Sequence, residues 1–166
     1  MKVKHNLVRG FLSILLAALP VLGKPPLEAQ GQRASNLAVV VNKDTPVTDL
    51  SLDEVRKIFL GDRQYWTAKL PVVLLIRAPM ARERDITLRV IYQMDEAQYK
   101  RYWIAKIFRA ESATPPKIVY SNDMAHEMTA TIPGAISIVD AADVPPGVKV
   151  VRIDGHLPSE ADYPLK

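Results

Sequence analysis

Cysteine is absent from this 166-residue chain, and glycine (7 residues) and aromatic side chains (7%) are few. Without cysteine there is no disulfide framework, no thiolate nucleophile and no Cys-ligated metal. The sequence also lacks the G-x-S-x-G, S-x-x-K, G-x-G-x-x-G and G-x-x-x-x-G-K-[ST] motifs of common catalytic and phosphate-binding loops. Apolar residues make up 48% of the chain, which is enough for the core of one domain.

Histidine is scarce as well, since only His126 and His156 follow the first 29 residues. The segment 126–130 (HEMTA) begins like a zinc-binding H-E-x-x-H helix, but the second imidazole is replaced by Ala130. With no nucleophile–base pair visible, we expect a protein that is not an enzyme and that holds no cofactor.

The first 29 residues have the pattern of a secretory signal peptide. Lys2, Lys4 and Arg9 precede an apolar stretch over residues 11–19, and cleavage is expected after Ala29. The apolar stretch is shorter than the ~20 residues that span a bilayer, although an uncleaved anchor is the alternative. The sequence therefore predicts export to the periplasm, with no membrane span after residue 29.

The charge of the remaining chain argues against nucleic acid as a partner. From Gln30 onward there are 18 basic and 17 acidic residues, a net charge of +1, whereas the whole chain carries +4. A nucleic-acid-binding domain usually presents a dense basic face with stacking aromatic residues, and neither is evident here.

Apolar strands alternate with amphipathic helices after a polar lead-in at 30–36, which predicts an α/β domain over residues 37–153. We expect a largely parallel or mixed sheet covered by helices on both faces, and a loose C-terminal tail at 154–166. The predicted strands are 37–41, 72–76, 118–120, 135–139 and 148–153. The predicted helices are 52–60, 81–94, 96–110 and 122–131, with Ser51, Asp95 and Ser121 as N-caps.

Aromatic residues occur in two places. In the helix 96–110, the spacing predicts a core-facing arc formed by Tyr99, Trp103, Ile104, Ile107 and Phe108. The pair Tyr65-Trp66 follows the first helix, and either plugs the edge of the sheet or lines a cleft.

The loop after the second predicted strand is the candidate binding site. Arg77 ends the strand, Ala81 begins the next helix, and Arg82 and Arg84 lie in its first turn. Loops from a strand into a helix N-terminus bind anions in α/β proteins, so these arginines could hold a phosphate, sulfate or carboxylate. In the alternative interpretation, Glu83 and Asp85 neutralise the arginines in a solvated turn.

Several segments occur in an order that resembles the periplasmic substrate-binding proteins of bacterial phosphate ABC transporters. They are Val39-Val40-Val41-Asn42 (V-V-x-N), Ile58-Phe59-Leu60-Gly61 with Trp66, the strand into Arg77, and Ile132-Pro133-Gly134-Ala135-Ile136. The resemblance implies a single lobe of a type II periplasmic-binding-protein-like fold, and it adds Asn42 to the candidate binding residues. Where the family has R-x-D-G-S-G-T, this chain keeps Arg77 but has Pro79-Met80-Ala81-Arg82-Glu83, which lacks both hydroxyls and both glycines.

The resemblance implies an exported solute-binding-protein-like domain, with phosphate or another small anion as the ligand. A lone lobe encloses less of a ligand than a two-lobed cleft, so weak binding or pairing with a second chain is expected. The alternative is a periplasmic interaction module that has lost ligand binding and contacts a protein partner.

Overall fold

The computed structural model describes residues 36–112 and 114–166. The predicted signal peptide and all but the last residue of the lead-in lie outside these ranges. The strands within them are β1 (Leu37–Asn42), β2 (Asp49–Leu50), β3 (Tyr65–Thr67), β4 (Leu70–Pro71), β5 (Val73–Arg77), β6 (Lys117–Val119), β7 (Ala135–Asp140), β8 (Val148–Val150) and β9 (Arg152–Ile153). The helices are α1 (Leu52–Phe59), α2 (Arg82–Ile86), α3 (Glu96–Phe108) and α4 (Asn122–Thr131).

Five strands form the central sheet, in the order β6-β5-β7-β1-β8. Strand β5 is parallel to both β6 and β7, whereas β1 is antiparallel to β7 and β8. The predicted α/β class with a mixed sheet is therefore confirmed. The parallel pairing brings the end of β5 and the end of β6 to one edge of the sheet, where the candidate loop leaves β5.

Local signals at the helix starts explain why the helices begin where they do. Ser51 and Glu54 form a capping box at α1, and Asp95 and Gln98 form one at α3. The side chain of Ser121 accepts a hydrogen bond from the backbone of Met124 at the start of α4. All three predicted caps are confirmed.

Alternation along β1 divides the core into two layers, one on each face of the sheet. Leu37, Val39 and Val41 pack on the side of α1 and α3, while Ala38 and Val40 pack on the side of α4. A strand with a helical layer on both faces needs apolar residues at every position, which explains the uninterrupted apolar run that begins the domain.

The C-terminal tail is part of the core, and the expectation of a loose tail at 154–166 was wrong. Tyr163 and Leu165 are fully buried, and the backbone amide of Leu37 donates to the carbonyl oxygen of Leu165 at 2.9 Å. The hydroxyl of Tyr163 accepts a hydrogen bond from the backbone amide of Val39 at 3.3 Å. The tail therefore pairs with β1 through polar contacts that hydropathy patterns do not reveal.

Three further expectations need correction. The helix predicted over 81–94 is α2 followed by a π-helical segment, Thr87–Tyr92, and the last predicted strand is interrupted between β8 and β9. In α3 only Tyr99 and Trp103 of the predicted arc are buried. Ile104, Ile107 and Phe108 are exposed, because α3 contacts the rest of the domain through a narrower face than its apolar residues occupy.

Among the described residues, none of the helices combines the length and the hydropathy needed to cross a bilayer.

Candidate functional site

Arg77 lies where the sequence placed it, at the end of β5 and directly before the loop into α2. Its side chain is only 12% exposed, and Nε lies 3.6 Å from Oε2 of Glu83, whose side chain is equally enclosed. Neither Nε nor Nη1 donates a hydrogen bond of normal geometry. The carboxylate of Glu83 therefore lies beside the group that would bind an anion, where it offers charge compensation.

Arg84 is not a loop residue but a buried part of the core, with 3% of its side chain exposed. Its Nε and Nη2 donate to the two carboxylate oxygens of Glu96, each at 2.8 Å. Its Nη1 donates to the backbone oxygen of Arg77 at 3.0 Å, and the guanidinium lies over the Tyr99 ring, 4.6 Å from the centroid. These contacts occupy the planar fork that a bidentate anion would need.

Electrostatics at this pair favour the charged forms. Burial acts to lower the pKa of Arg84, but hydrogen bonding and charge from Glu96 outweigh it and raise that pKa. The hydrogen bonds from Arg84 in turn lower the pKa of the Glu96 carboxyl below its ordinary value. Both groups stay ionised at neutral pH and neutralise each other.

Arg82 is paired as well. Its Nη1 lies 3.3 Å from Oδ2 of Asp140, the last residue of β7. The side chain is about a third exposed, so this pair lies at the rim of the site. Arg77, Arg82 and Arg84 therefore each lie beside a carboxylate of the same chain.

Ala81 is the N-cap of α2, and its side chain offers no hydrogen bond to the helix. The preceding Met80 has φ +72°, and its side chain is almost completely exposed. This left-handed conformation suits glycine. Met80 stands where the resembling R-x-D-G-S-G-T motif has its first glycine, so the loop adopts a glycine-like backbone without the glycine.

Asn42 is buried at the end of β1 and is fully used in holding α4. Its Nδ2 donates to the backbone oxygens of Thr129 at 3.2 Å and Ala130 at 2.8 Å, and its Oδ1 accepts from the amide of Asp44 at 3.1 Å. These contacts assign a structural role to Asn42 and leave it far less suited to ligand binding than the sequence suggested.

The structure thus brings Arg77, Ala81, Arg82 and Arg84 together at the C-terminal end of β5. In line with the alternative interpretation, Glu83 lies beside Arg77, but Asp85 is exposed, and Arg84, which that interpretation places in a solvated turn, is buried. Sequence reasoning missed Glu96 and Asp140 as partners. The sequence held one signal for such partners: two arginines in the first turn of α2, where the helix dipole disfavours positive charge unless carboxylates compensate it.

Tyr65 and Trp66 have different roles. Trp66 is buried, and its Nε1 donates to the carbonyl oxygen of Gly134 at 2.9 Å. Gly134 has φ +76°, and a Cβ there would lie 2.1 Å from the Pro71 oxygen, so the I-P-G-A-I segment needs glycine at this point. Tyr65 lines an open groove of about 210 Å³ at the opposite end of β5 from Arg77, together with Trp103, Pro115 and Lys117.

No family model matches the chain. Solved structures do match it over most of the described domain. One, described as a phosphate ABC transporter substrate-binding protein with bound phosphate, from Clostridium perfringens, is 19% identical with a TM-score of 0.58, covering 72% of this chain and 45% of that one. An ABC-type phosphate transport receptor from Vibrio cholerae is 19% identical with a TM-score of 0.60, covering 75% and 48%. PstS from Borrelia burgdorferi is 13% identical with a TM-score of 0.59, covering 75% and 49%.

The fold is that of phosphate-type substrate-binding proteins. The resemblance seen in the sequence is thereby confirmed at the level of fold. The chain spans about half the length of these structures. Within this fold, Arg77 lies beside Glu83, a carboxylate of the same chain.

Proposed function

We propose that this chain is an exported, substrate-binding-protein-like domain that acts as an interaction module and not as a stand-alone phosphate receptor. Its placement in the periplasm rests on the signal-peptide pattern of residues 1–29. The observation that argues against a stand-alone phosphate receptor, and so favours the interaction module of the two, is the enclosed Glu83 carboxylate, 3.6 Å from Nε of Arg77. A carboxylate there provides the negative charge that a bound anion would otherwise supply.

Coulombic repulsion is the physical reason why this arrangement disfavours phosphate. Two negative charges close together in a weakly screened site repel each other strongly, so phosphate would have to displace the Glu83 side chain. The loop also offers fewer donors, since Ala81 and Glu83 stand where the resembling motif has Ser and Thr. Arg84 and Arg82 are engaged by Glu96 and Asp140 and add no unneutralised charge.

A small-anion receptor remains the second candidate function, on one specific observation. Nε and Nη1 of Arg77 are buried and donate no hydrogen bond of normal geometry. Buried guanidinium groups usually have all their donors satisfied, so an anion that moves Glu83 aside would find two donors ready. The similarity to phosphate-binding proteins supports the same candidate.

Calorimetric titration of the chain from Gln30 with phosphate and sulfate separates the two candidates. If Glu83 is a built-in counterion, the wild-type chain gives no binding heat at millimolar ligand, and Glu83→Gln gains binding that a further Arg77→Ala change removes. The exposed Asp85 lies in the same helix, so Asp85→Asn is the matched control and should gain none. Binding by the wild-type chain that Arg77→Ala abolishes would establish the anion receptor and contradict the interaction module as the primary role.

A further inference from the structure

The outer flank of α3 is apolar where a solvent-facing helix is normally polar. Ile104 is 68% exposed and Phe108 91% exposed, and Ile107 beside them is also exposed. A surface helix of a globular domain confines its apolar residues to the stripe that faces the core. The core stripe of α3 is already supplied by Tyr99 and Trp103, so Ile104 and Phe108 contribute little to the packing of the domain, while Ile107, 38% exposed, lies at the margin of that stripe.

The path of α3 across the sheet shows which way this flank faces. Near the start of α3, Glu96 binds Arg84, which contacts the end of β5, and Trp103 further along lines a groove with residues from the start of β5 and β6. On the α1 side, Tyr102 donates to the carbonyl oxygen of Leu60 at 2.7 Å. Ile104 lies on the opposite side of the helix from Tyr102 and therefore faces away from α1, while Phe108 points outward from the core.

Strand β6 presents apolar side chains on the same face. Ile118 pairs in parallel register with Ile76, whose side chain lies in the core layer below α3. Ile118 therefore faces the α3 side of the sheet, and Tyr120 directly follows the strand. Ile118 is 43% exposed and Tyr120 is 74% exposed. We call the set Ile104, Ile107, Phe108, Ile118 and Tyr120 the β6–α3 surface.

The backbone of β6 identifies the kind of structure that would cover this surface. Val119 accepts a hydrogen bond from the amide of Ala78 at 2.9 Å, so Val119 and Lys117 direct their backbone groups toward β5. The amide and carbonyl groups of Ile118 then point away from the sheet. No other strand among residues 36–112 and 114–166 pairs with this side of β6, and an edge with outward donors and acceptors is a template for another strand.

We propose that the β6–α3 surface binds the same surface of a second copy of this chain. In an antiparallel pair centred on Ile118, the two Ile118 residues exchange both backbone hydrogen bonds, and each Lys117 lies opposite Val119 of the other copy. No like charges lie directly opposite each other, so the edge is self-complementary. Pro115 and Pro116 precede β6, which confines the pairing to a short strand and favours a closed dimer over a fibre.

The two-fold axis of such a pair would run perpendicular to the joined sheet and would keep both α3 helices on one face. The chain crosses from β5 through α2 and α3 to the parallel strand β6, and Tyr99 and Trp103 of α3 share a core layer with Ile76 of β5, which places α3 over this pair of strands. With strands about 4.8 Å apart, a helix midway above β5 and β6 is about 5 Å from the axis, so the two α3 helices would lie about 10 Å apart, a normal distance for packed helices. Ile104 of the two copies would then face each other across the axis, with Phe108 at the upper rim of the contact.

This inference specifies a partner for the interaction role proposed above and rests on that role only in this respect. Failure of this inference can be told apart from failure of the proposed function, because the phosphate titrations of the Glu83 and Arg77 variants do not depend on whether the chain dimerises through β6. An extended peptide from another protein and an anionic membrane surface are the other occupants that the experiment must separate.

Sedimentation velocity of the chain from Gln30 tests the proposal at concentrations up to about 0.5 mM, far above a micromolar Kd. We expect a dimer whose Kd rises at least tenfold in Ile104→Glu and in Ile118→Glu, with unchanged urea unfolding of the monomer. Thr48→Glu introduces the same charge at an exposed residue between β1 and β2, beside β9 and not beside β6, and should leave the Kd unchanged. Amide hydrogen exchange at Ile118 should slow as the concentration rises.

Three results would overturn the proposal. They are a wild-type chain that stays monomeric at the highest concentration, a dimer that survives both glutamate substitutions, and a monomer whose Ile118 amide is protected only by phosphatidylglycerol vesicles. The third would assign the surface to a membrane. An edge occupied by a peptide partner would likewise leave the isolated chain monomeric and contradict self-association.

Discussion

Replacement of Glu96 by glutamine removes the charge that neutralises Arg84 and keeps the shape of the side chain. Two hydrogen bonds of 2.8 Å join the groups in the wild-type chain, and glutamine retains one acceptor oxygen. A hydrogen bond to a charged group contributes about 1.5–3 kcal/mol. Arg84 is buried whereas 35% of the Glu96 side chain is exposed, so solvent screens part of the interaction. After this screening, we expect Glu96→Gln to lower the free energy of unfolding at pH 7 by about 1–2 kcal/mol.

The effect should depend on pH in a defined direction. The pKa of Glu96 is lower in the folded chain than its ordinary value of 4.5, chiefly because of the hydrogen bonds from Arg84. A lowered folded pKa contributes stability that is fully present above the unfolded value and is lost as the pH falls through the folded value. The difference between wild-type and variant chains should therefore be constant near neutrality and shrink below about pH 4.5.

Urea unfolding followed by tryptophan fluorescence, repeated from pH 7 to pH 3, measures this difference. Glu127 is exposed on α4, and Glu127→Gln therefore serves as the matched control for loss of one negative charge. The reasoning fails if Glu96→Gln costs no more than Glu127→Gln. It also fails if the cost at pH 3 equals the cost at pH 7.

Two further substitutions test the packing of the tail and of the candidate loop. Tyr163→Phe leaves the buried amide of Val39 without its acceptor and should lower the free energy of unfolding by about 1–3 kcal/mol, whereas the exposed Tyr120→Phe should have no effect in the same urea titration. Met80 has a positive backbone φ, and Met80→Gly removes the steric strain of that conformation. We expect the free energy of unfolding, measured by calorimetry, to rise by about 0.5–1 kcal/mol. A decrease would contradict the strain argument.

Features encoded within a few residues of each other were predictable. Ser51 with Glu54, and Asp95 with Gln98, are capping pairs separated by one helical turn, and the structure contains both. The uninterrupted apolar run at 37–41 indicates a strand buried on both faces, because no polar position is tolerated there. The place of Arg77 at the end of a strand followed from the same patterns.

Contacts between distant parts of the chain were not predictable from local patterns. Arg84 and Glu96 are 12 residues apart, and Arg82 and Asp140 are 58 apart, so each pair depends on how strands and helices are brought together. The outward flank of α3 was missed for a related reason. Its helical spacing reveals apolar residues, but the width of the face that the domain covers depends on neighbouring elements.

The sequence by itself determined the α/β class, the helix caps and most strand positions, because these depend on short-range periodicity and backbone preferences. The order of the segments around Asn42, Gly61, Arg77 and Gly134 carried the resemblance to phosphate-type substrate-binding proteins. Only the tertiary structure decided that Tyr163 and Leu165 complete the core, and that the arginines of the candidate loop are met by carboxylates of the same chain. Charge pairing and burial depend on distances of a few ångströms between residues far apart in the chain, and those distances exist only in the folded protein.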